Sequence, residues 1–405
     1  MKVRSNLVGL TLGGLWTVAS LLACAATSGV PDGSRGGDVD AGAGGAGSSG
    51  ASVYESGGGG SLGGTGGAPD AGAPDDSYGG APTYGNSTAG AGGGSNSGSG
   101  SIPTAPSTPQ DPVIVNVETG NAFDRSEIVV IDYNMLHPGP IGTGENEQQS
   151  STADARLELL AAAIAAVEPD VVLLQEVAIV AERRGGHMLD RLRVAVNSRL
   201  SGTSTVYNSV YNQSNISPML VNFADGNAVL TKYEVLSAET IIFDAQARTG
   251  GIIETRTALR VTISGANGDL DFISCHLKGD FADEQTEEIL AHFQGRNPLV
   301  IAGDFNVTPS TPAYSRMTSG GFVDTYVVAN GSSDFTSDVD DIEQQFANPT
   351  QTIDYIFARD YAEVISSALF MDEAVLVQTS PDGWLWGSDH IGVITHAVPN
   401  GYAAQ

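Results

Sequence analysis

Two short runs, VVLLQ at 171–175 and LVIAG at 299–303, are apolar at nearly every position. Successive side chains of an extended chain point to opposite faces, so each run needs cover on both sides. Strands of that kind lie in the middle of a sheet, with further layers above and below. Other runs share strand character: IVVIDYN (128–134), GNAVLTKYEV (226–235), TALRVTIS (257–264), LDFISCHL (270–277), TIDYIFA (352–358) and IGVITHAV (391–398), with PLVIAGDFN (298–306) extending the second apolar run. LRVTI and LDFISCHL alternate, as a strand with one face inward does. Leu157, Leu160, Ile164 and Val167 fall at helical spacing, with Ser151 or Thr152 as the start signal and Pro169 as the stop. Leu189, Leu192, Val196 and Leu200 repeat that spacing, and two more helices are expected over ADEQTEEILAHF and after Ser310, with Pro312 in the first turn. The balance predicts an α/β fold in which two sheets pack face to face with helices outside.

Only part of the chain can contribute to such a core. Residues 25–112 are dominated by Gly, Ser, Ala, Pro and Asp and hold almost no large apolar side chain. Ordering that segment would have no compensating burial, so it is expected to be a flexible tether, spanning ~50 Å for about 88 residues. Ahead of it, Lys2 and Arg4 precede an apolar stretch from Leu7 to Ala23, ending in Leu21-Leu22-Ala23-Cys24. This is the layout of a secretory signal, and the last four residues resemble the bacterial lipobox, whose cysteine becomes the lipidated first residue of the mature chain. The expected organisation is a signal over 1–24, a tether over 25–112 and one domain over 113–405. The protein would then be exported and held at the cell envelope, at the outer membrane or cell surface, by a lipid on Cys24 that tethers without spanning. An uncleaved signal anchor is the alternative. Cys275, the other cysteine, is expected to be a small buried residue, with no intrachain disulfide.

From Val113 onward the chain carries 39 acidic and 15 basic residues, a net charge of −24. Non-specific nucleic-acid affinity comes from Lys and Arg on phosphates, so tight duplex binding is not expected. A metal-assisted enzyme acting on one phosphate is compatible with this charge, and a monomer is expected.

The polar residues collect where the strands stop: Asn134, Glu176, His276, then Asp304 and Asn306. TIDYIF carries Asp354, and Ser388-Asp389-His390 stands just before IGVITHAV. A carboxylate at the end of a buried strand costs several kcal/mol without a partner. Two or three carboxylates and two amides make an oxygen-rich set suited to Mg²⁺, Mn²⁺ or Ca²⁺ rather than zinc. Each residue also has a plain structural reading: a turn for Asn134, a helix cap for Glu176, an Asx-turn for Asp304 and Asn306. Their joint placement at strand ends favours a site.

Seven segments occur in order: Tyr133-Asn134, Leu174-Gln175-Glu176, Gly226-Asn227-Ala228, His276-Leu277, Gly303-Asp304-Phe305-Asn306, Ile353-Asp354-Tyr355 and Ser388-Asp389-His390. In these the chain resembles the endonuclease/exonuclease/phosphatase superfamily, which includes deoxyribonuclease I, bacterial sphingomyelinases, inositol polyphosphate 5-phosphatases and AP endonucleases. The resemblance implies a four-layer α/β sandwich with two central, mostly antiparallel sheets and a divalent-metal phosphoesterase site at one edge. It further implies that Glu176 is the main metal ligand, supported by Asn134 and Asp389. Asp304 and Asn306 would orient the attacking water and a phosphate oxygen. His390 would be the general base or acid, oriented by Asp354, and His276 would donate to the phosphoryl oxygens.

Relatives often carry an arginine where this chain has Thr352, so phosphate contact is sought at Arg256 or Lys278, with Asn227 as a further candidate. Arg256 could instead pair with a surface carboxylate. Trp384, Leu385 and Trp386 form a loop that is either exposed, to stack on a base or enter a lipid interface, or packed in the core. The acidic stretch 325–346, with Asp338, Asp340 and Asp341, reads as a solvated loop or a calcium site. The expected function is a lipid-anchored, Mg²⁺-dependent phosphoesterase acting on phosphodiesters or monoesters, with small or lipid-borne esters favoured. An extracytoplasmic nuclease is the near alternative. A non-catalytic binding or adhesion lipoprotein would show a gap among Glu176, Asp304, Asn306 and His390, and there is none.

Overall fold

Two sheets built mainly of antiparallel strands face each other across an apolar layer in a computed structural model, which describes residues 111–138, 147–180, 187–216, 223–249, 252–378, 380 and 383–402. The signal segment, Cys24 and nearly all of the tether lie outside the described residues. The first sheet is eight-stranded. Its main path runs Val113–Val115, Asn208–Ile216, Phe223–Thr231, Val171–Gln175, Ile128–Asn134, Gly392–Pro399 and Tyr361–Phe370. The second is six-stranded: Val323–Asp324, Asp354–Arg359, Leu299–Asp304, Leu270–His276, Thr257–Ile263 and Val235–Ile242.

Each sheet contains one parallel pair, Ile128–Asn134 with Val171–Gln175 and Leu270–His276 with Leu299–Asp304. A parallel pair needs a long crossover, and in both cases the crossover carries a helix: α1 (Glu147–Val167) in the first, and in the second a helix at Ala282–His292. That second helix is α3, since α2 (Met188–Arg199) precedes it; α4 (Pro312–Ser319) and α5 (Thr325–Asn330) follow. Helices α1 and α2 cover the outer face of the first sheet, where Leu157, Leu160, Ile164, Leu192 and Val196 meet Ile131, Val172 and Leu174. On the second sheet, Ile289 of α3 and Met317 of α4 pack on Ile273, Cys275 and Ile301. Between the sheets lie Val130, Leu173, Val229, Leu259, Val261, Phe272, Val300 and Ile356. The order is therefore helix, sheet, sheet, helix. Both apolar runs are buried throughout, as two-sided strands must be.

Three local expectations change. GNAVLTKYEV is not one strand: Phe223–Thr231 belongs to the first sheet and Val235–Ile242 to the second. No Gly or Pro marks the break; tertiary bonds make it, from Lys232 N to the Asp170 carbonyl at 3.3 Å and from Glu234 N to that of Asn121 at 2.8 Å. Helix α1 starts ahead of Ser151 and Thr152, whose hydroxyls donate back to the Gln148 carbonyl at 3.1 and 2.8 Å instead of capping. The acidic stretch opens with α5, whose start is capped by Asp324 accepting from Tyr326 N and Val327 N at 3.0 and 3.2 Å.

Candidate active site

The second sheet places three polar side chains in one row. His276 is the register partner of Asp304, and Asp304 is the partner of Asp354. The parallel pair ends at that edge and the antiparallel neighbour begins there. The first sheet does the equivalent: Asn134 pairs with Gln175, and the strand Gly392–Pro399, antiparallel to Ile128–Asn134, begins just after Asp389 and His390. The two edges face each other, so residues separated by up to 256 positions share one pocket.

Backbone strain helps to aim them. Glu176 follows its strand at φ 56°, and Asn306 sits at φ 53°. The left-handed region costs a non-glycine residue of the Glu type roughly 1–2 kcal/mol. For Glu176 it is held by the paired bonds of Val177 and Gly226, N to O at 3.0 and 3.1 Å. Gly226 has no room for a side chain, because a Cβ there would overlap the Asn212 carbonyl oxygen.

Asn134 Nδ2 bridges the sheets, donating to Glu176 Oε1 at 3.3 Å and to Asp304 Oδ2 at 3.2 Å. His137 N donates to Glu176 Oε2 at 3.1 Å, and His137 Nε2 stands 3.7 Å from the same oxygen. Asp304 Oδ2 lies 3.3 Å from His276 Nε2 and 3.8 Å from His390 Nε2. The other His390 nitrogen, Nδ1, sits 3.0–3.1 Å from both Asp354 oxygens. Asn306 N donates to Asp304 Oδ1 at 2.8 Å, while its side-chain amide donates to the Leu277 carbonyl at 3.0 Å.

These contacts separate the protonation states. Burial opposes charge on His390, but Asp354, Asp304 and Asp389 outweigh it and hold its pKa well above the usual range. Burial and the Arg256 charge push His276 well down, leaving a neutral imidazole. Burial, with Asp354 and Glu176 nearby, raises Asp304 to about 7 against the pull of His390. Burial also opposes the Glu176 anion, yet His137, His390 and the His137 backbone N–H lower its pKa overall. Asp389 is raised by burial and by Glu176, with His390 and Ser388 opposing.

The donors fit a hard divalent cation. Ligand atoms of Asp304, Asp354 and His390 lie within 4.8 Å of one another; Asn134 Nδ2 links Glu176 to Asp304, and Asp389 is close enough to His390 and Glu176 for their charges to act on it. Carboxyls raised by burial, and then by neighbouring carboxylates, are what a cation would relieve. Asn134 presents its nitrogen to the carboxylates and its oxygen to Leu136 N at 3.1 Å, so it acts here as a bridging donor.

A profile of the Endonuclease/Exonuclease/phosphatase family matches residues 133–390, from Tyr133 before the bridging asparagine to the catalytic-edge histidine. The chain belongs to the endonuclease/exonuclease/phosphatase family. Members of that family are typically metal-dependent hydrolases of phosphoester bonds. Among solved structures, the chain is similar to a family protein from Leptotrichia buccalis at 23% identity and TM-score 0.50, over 66% of this chain and 98% of that one. It is also similar to one from Bacteroides thetaiotaomicron at 15% identity and TM-score 0.53, over 69% and 100%. At these identities the likeness is one of fold: a deoxyribonuclease I-like α/β sandwich. No curated protein matches the chain.

Other expected contacts fall differently. Trp386 is 5% exposed, packed with Leu136, Ile342 and Ile391, and its Nε1 donates to the Gln344 carbonyl at 2.9 Å. It is a core residue, as one of the two expectations had it; Trp384 is half-buried. Asn227 is 1% exposed; its amide nitrogen donates to the Thr257 carbonyl and Oγ1, and the residue lines a small recess with Glu176 and His276. Arg256 lines the same recess. Lys278 is outside that lining; its backbone N–H donates to Gln285 Oε1 at 2.9 Å at the approach to α3.

Two features were not anticipated. His137 supports Glu176. Asp132 is fully buried beneath the site, with one oxygen held by Gln175 Nε2 at 2.9 Å and Oδ2 without a hydrogen-bond partner among the described residues. Burial and then Asp354 push its carboxyl well up, so it is a neutral acid. Period-two spacing from Asn134 was the available signal for Asp132.

Proposed function

We propose that the protein hydrolyses phosphate esters with Mg²⁺, using water as nucleophile, and that it acts outside the cytoplasm from a lipid anchor on Cys24. The observation that carries the chemistry is the His390–Asp354 pair set against Asp304 and Glu176 where the two sheet edges meet. The anchor rests on the basic start, the apolar stretch and Leu21-Leu22-Ala23-Cys24.

Glu176, Asp389 and Asp304 would hold the ion, with Asn134 fixing the spacing of Glu176 and Asp304. When bound, Mg²⁺ supplies positive charge to the phosphoryl oxygens and favours the anionic carboxylates around it. Asp304 Oδ2 and His390 Nε2 face the same space; the Asp304 carboxylate would take the proton of the attacking water and protonated His390 would give one to the leaving oxygen. Asp354 fixes His390 so that Nε2 points inward. Neutral His276 donates to the phosphoryl oxygens, and Arg256 adds charge from the recess beside it. The acidic surface supports a small or lipid-borne ester over long nucleic acid.

The test is a panel of plasmid DNA, RNA, sphingomyelin, inositol phosphates and bis-p-nitrophenyl phosphate, each with Mg²⁺ and with chelator. Wild type should turn over at least one ester only with metal, and His390→Ala should be the blank. Equal turnover by wild type and His390→Ala removes the proton-transfer role. Plasmid cleavage in preference to every small ester supports the nuclease reading. Membrane partition lost in Cys24→Ala checks the anchor.

A further inference from the structure

A cavity of about 280 Å³ opens beside Asp389. Asp338 and Asp340 line it with Asp389, and the amides of Gln148 and Gln149 complete its polar wall. Leu136, Val339 and Ile342 supply apolar surface. No Lys or Arg is among its lining residues. Arg156, nearby, donates to the carbonyls of Met135, Leu136 and Gln149.

The acidic wall is fixed relative to the catalytic edge. Val339 N donates to the Asp389 carbonyl at 3.2 Å, Ile391 N to that of Thr336 at 2.7 Å, and Trp386 N to that of Ile342 at 2.8 Å. Ser337 bridges to His390. Segment 336–342 is therefore bonded along its length to the strand entry that carries Asp389 and His390, and is not a free solvated loop. Asp338 stands at φ 81°, where Thr350 Oγ1 and Gln351 Nε2 donate to its carboxylate. A charge held in an uncommon backbone conformation at the wall of a recess is positioned, and that position adjoins the proposed reacting centre.

We propose that this cavity receives one ester arm of the substrate and that Asp338 and Asp340 act as a charge filter on it. The filter accepts short arms that are uncharged or carry an ammonium, and excludes arms with a carboxylate or second phosphate. The apolar surface takes the alkyl part, and Asp338 and Asp340 set the charge of the recess that receives it. The inference rests on the phosphoesterase reading and narrows it to diesters with a non-anionic arm. A polynucleotide, with a phosphate at every link, is then a poor occupant.

Symmetric dialkyl phosphates test this, because either arm presents the same charge. The kcat/KM of the full chain with Mg²⁺ is measured for bis(2-aminoethyl), diethyl and bis(2-carboxyethyl) phosphate. Each variant is read as its ammonium-to-carboxylate ratio, which cancels intrinsic reactivity. In Asp338→Asn/Asp340→Asn that ratio should fall roughly fivefold to tenfold, as two partly exposed charge pairs would give. Asparagine tolerates the left-handed backbone at 338, and the exposed Asp340 has room for it. A control, Asp124→Asn/Asp269→Asn, neutralises two acids ahead of the strands that end in Asn134 and His276. It should keep the wild-type ratio, separating the cavity from the overall negative field. An unchanged ratio in Asp338→Asn/Asp340→Asn overturns the filter. So does loss of all three turnovers that raised Mg²⁺ restores, since the acids would then hold an ion. A wild type that hydrolyses no diester with any divalent ion overturns the filter, and one that turns over no ester of the panel either overturns the phosphoesterase reading as well.

Discussion

His390 is the residue on which most of the proposed chemistry turns, and Asp354 fixes its ring. With both Asp354 oxygens at 3.0–3.1 Å from Nδ1, the ring has one orientation and its Nε2 faces Asp304. Asp354→Asn keeps the volume but removes the charge that fixes the tautomer. A fall in kcat of roughly 10²–10⁴-fold, with KM little changed, is the expected outcome. Steady-state kinetics on the ester identified by the panel checks it; an unchanged kcat would leave Asp354 as a structural acid. Asn134, Glu176 and Asp304 were readable as candidates because each terminates an apolar run. Asp132 was not, because a carboxylate inside IVVIDYN looks like the polar face of a half-exposed strand until both faces prove covered. Trp386 was ambiguous for the opposite reason: Gly and Pro around it suggest an exposed loop, and burial comes from Leu136, Ile342 and Ile391 elsewhere in the chain.

At the level of elements, the strand edges do the positioning. Val171–Gln175 presents Glu176 only because Val177, the residue after it, is locked to Gly226 by a pair of backbone bonds. Gly226→Ala would drive a Cβ into the Asn212 carbonyl, so the edge must shift. Overpacking of this kind costs typically ~1–3 kcal/mol, and a Tm lower by about 2–4 °C per kcal/mol is expected. Activity should fall further than stability does, since Glu176 moves with the edge. Scanning calorimetry beside kinetics measures both, and full activity at an unchanged Tm would show that the edge tolerates a side chain. Strand existence was legible from apolar runs and turn residues. The break after Thr231 was not, because β-formers continue through it and the change of sheet is enforced by Asp170 and Asn121.

Across the whole molecule, the buried charges make stability depend on pH. Asp304 at about 7, and Asp132 and His390 with pKa values held well up, keep protons in the fold that the unfolded chain releases. Stability therefore falls as pH rises through those values. The lowered pKa values of His276 and His187 act in the opposite sense, but only below their ordinary value of 6.5. Above about pH 6.5 the first set acts alone, so Tm of the metal-free protein should drop between about pH 6.5 and 8.5. A divalent ion should raise Tm more at the upper pH than at the lower. Scanning calorimetry with chelator and with Mg²⁺ reads both effects; a metal-free Tm that rises over this range would contradict the proton-holding of these buried groups. The amino-acid order by itself determined the strands, most of the helices, the polar residues at strand ends and the segment unable to form a core, because those depend on side-chain pattern over a few positions. Only the tertiary structure decided which edges meet, that Asp132 lies beneath them, and that 336–342 is bonded alongside His390. Those relations join residues tens to hundreds of positions apart, and their distances come from packing two twisted sheets face to face.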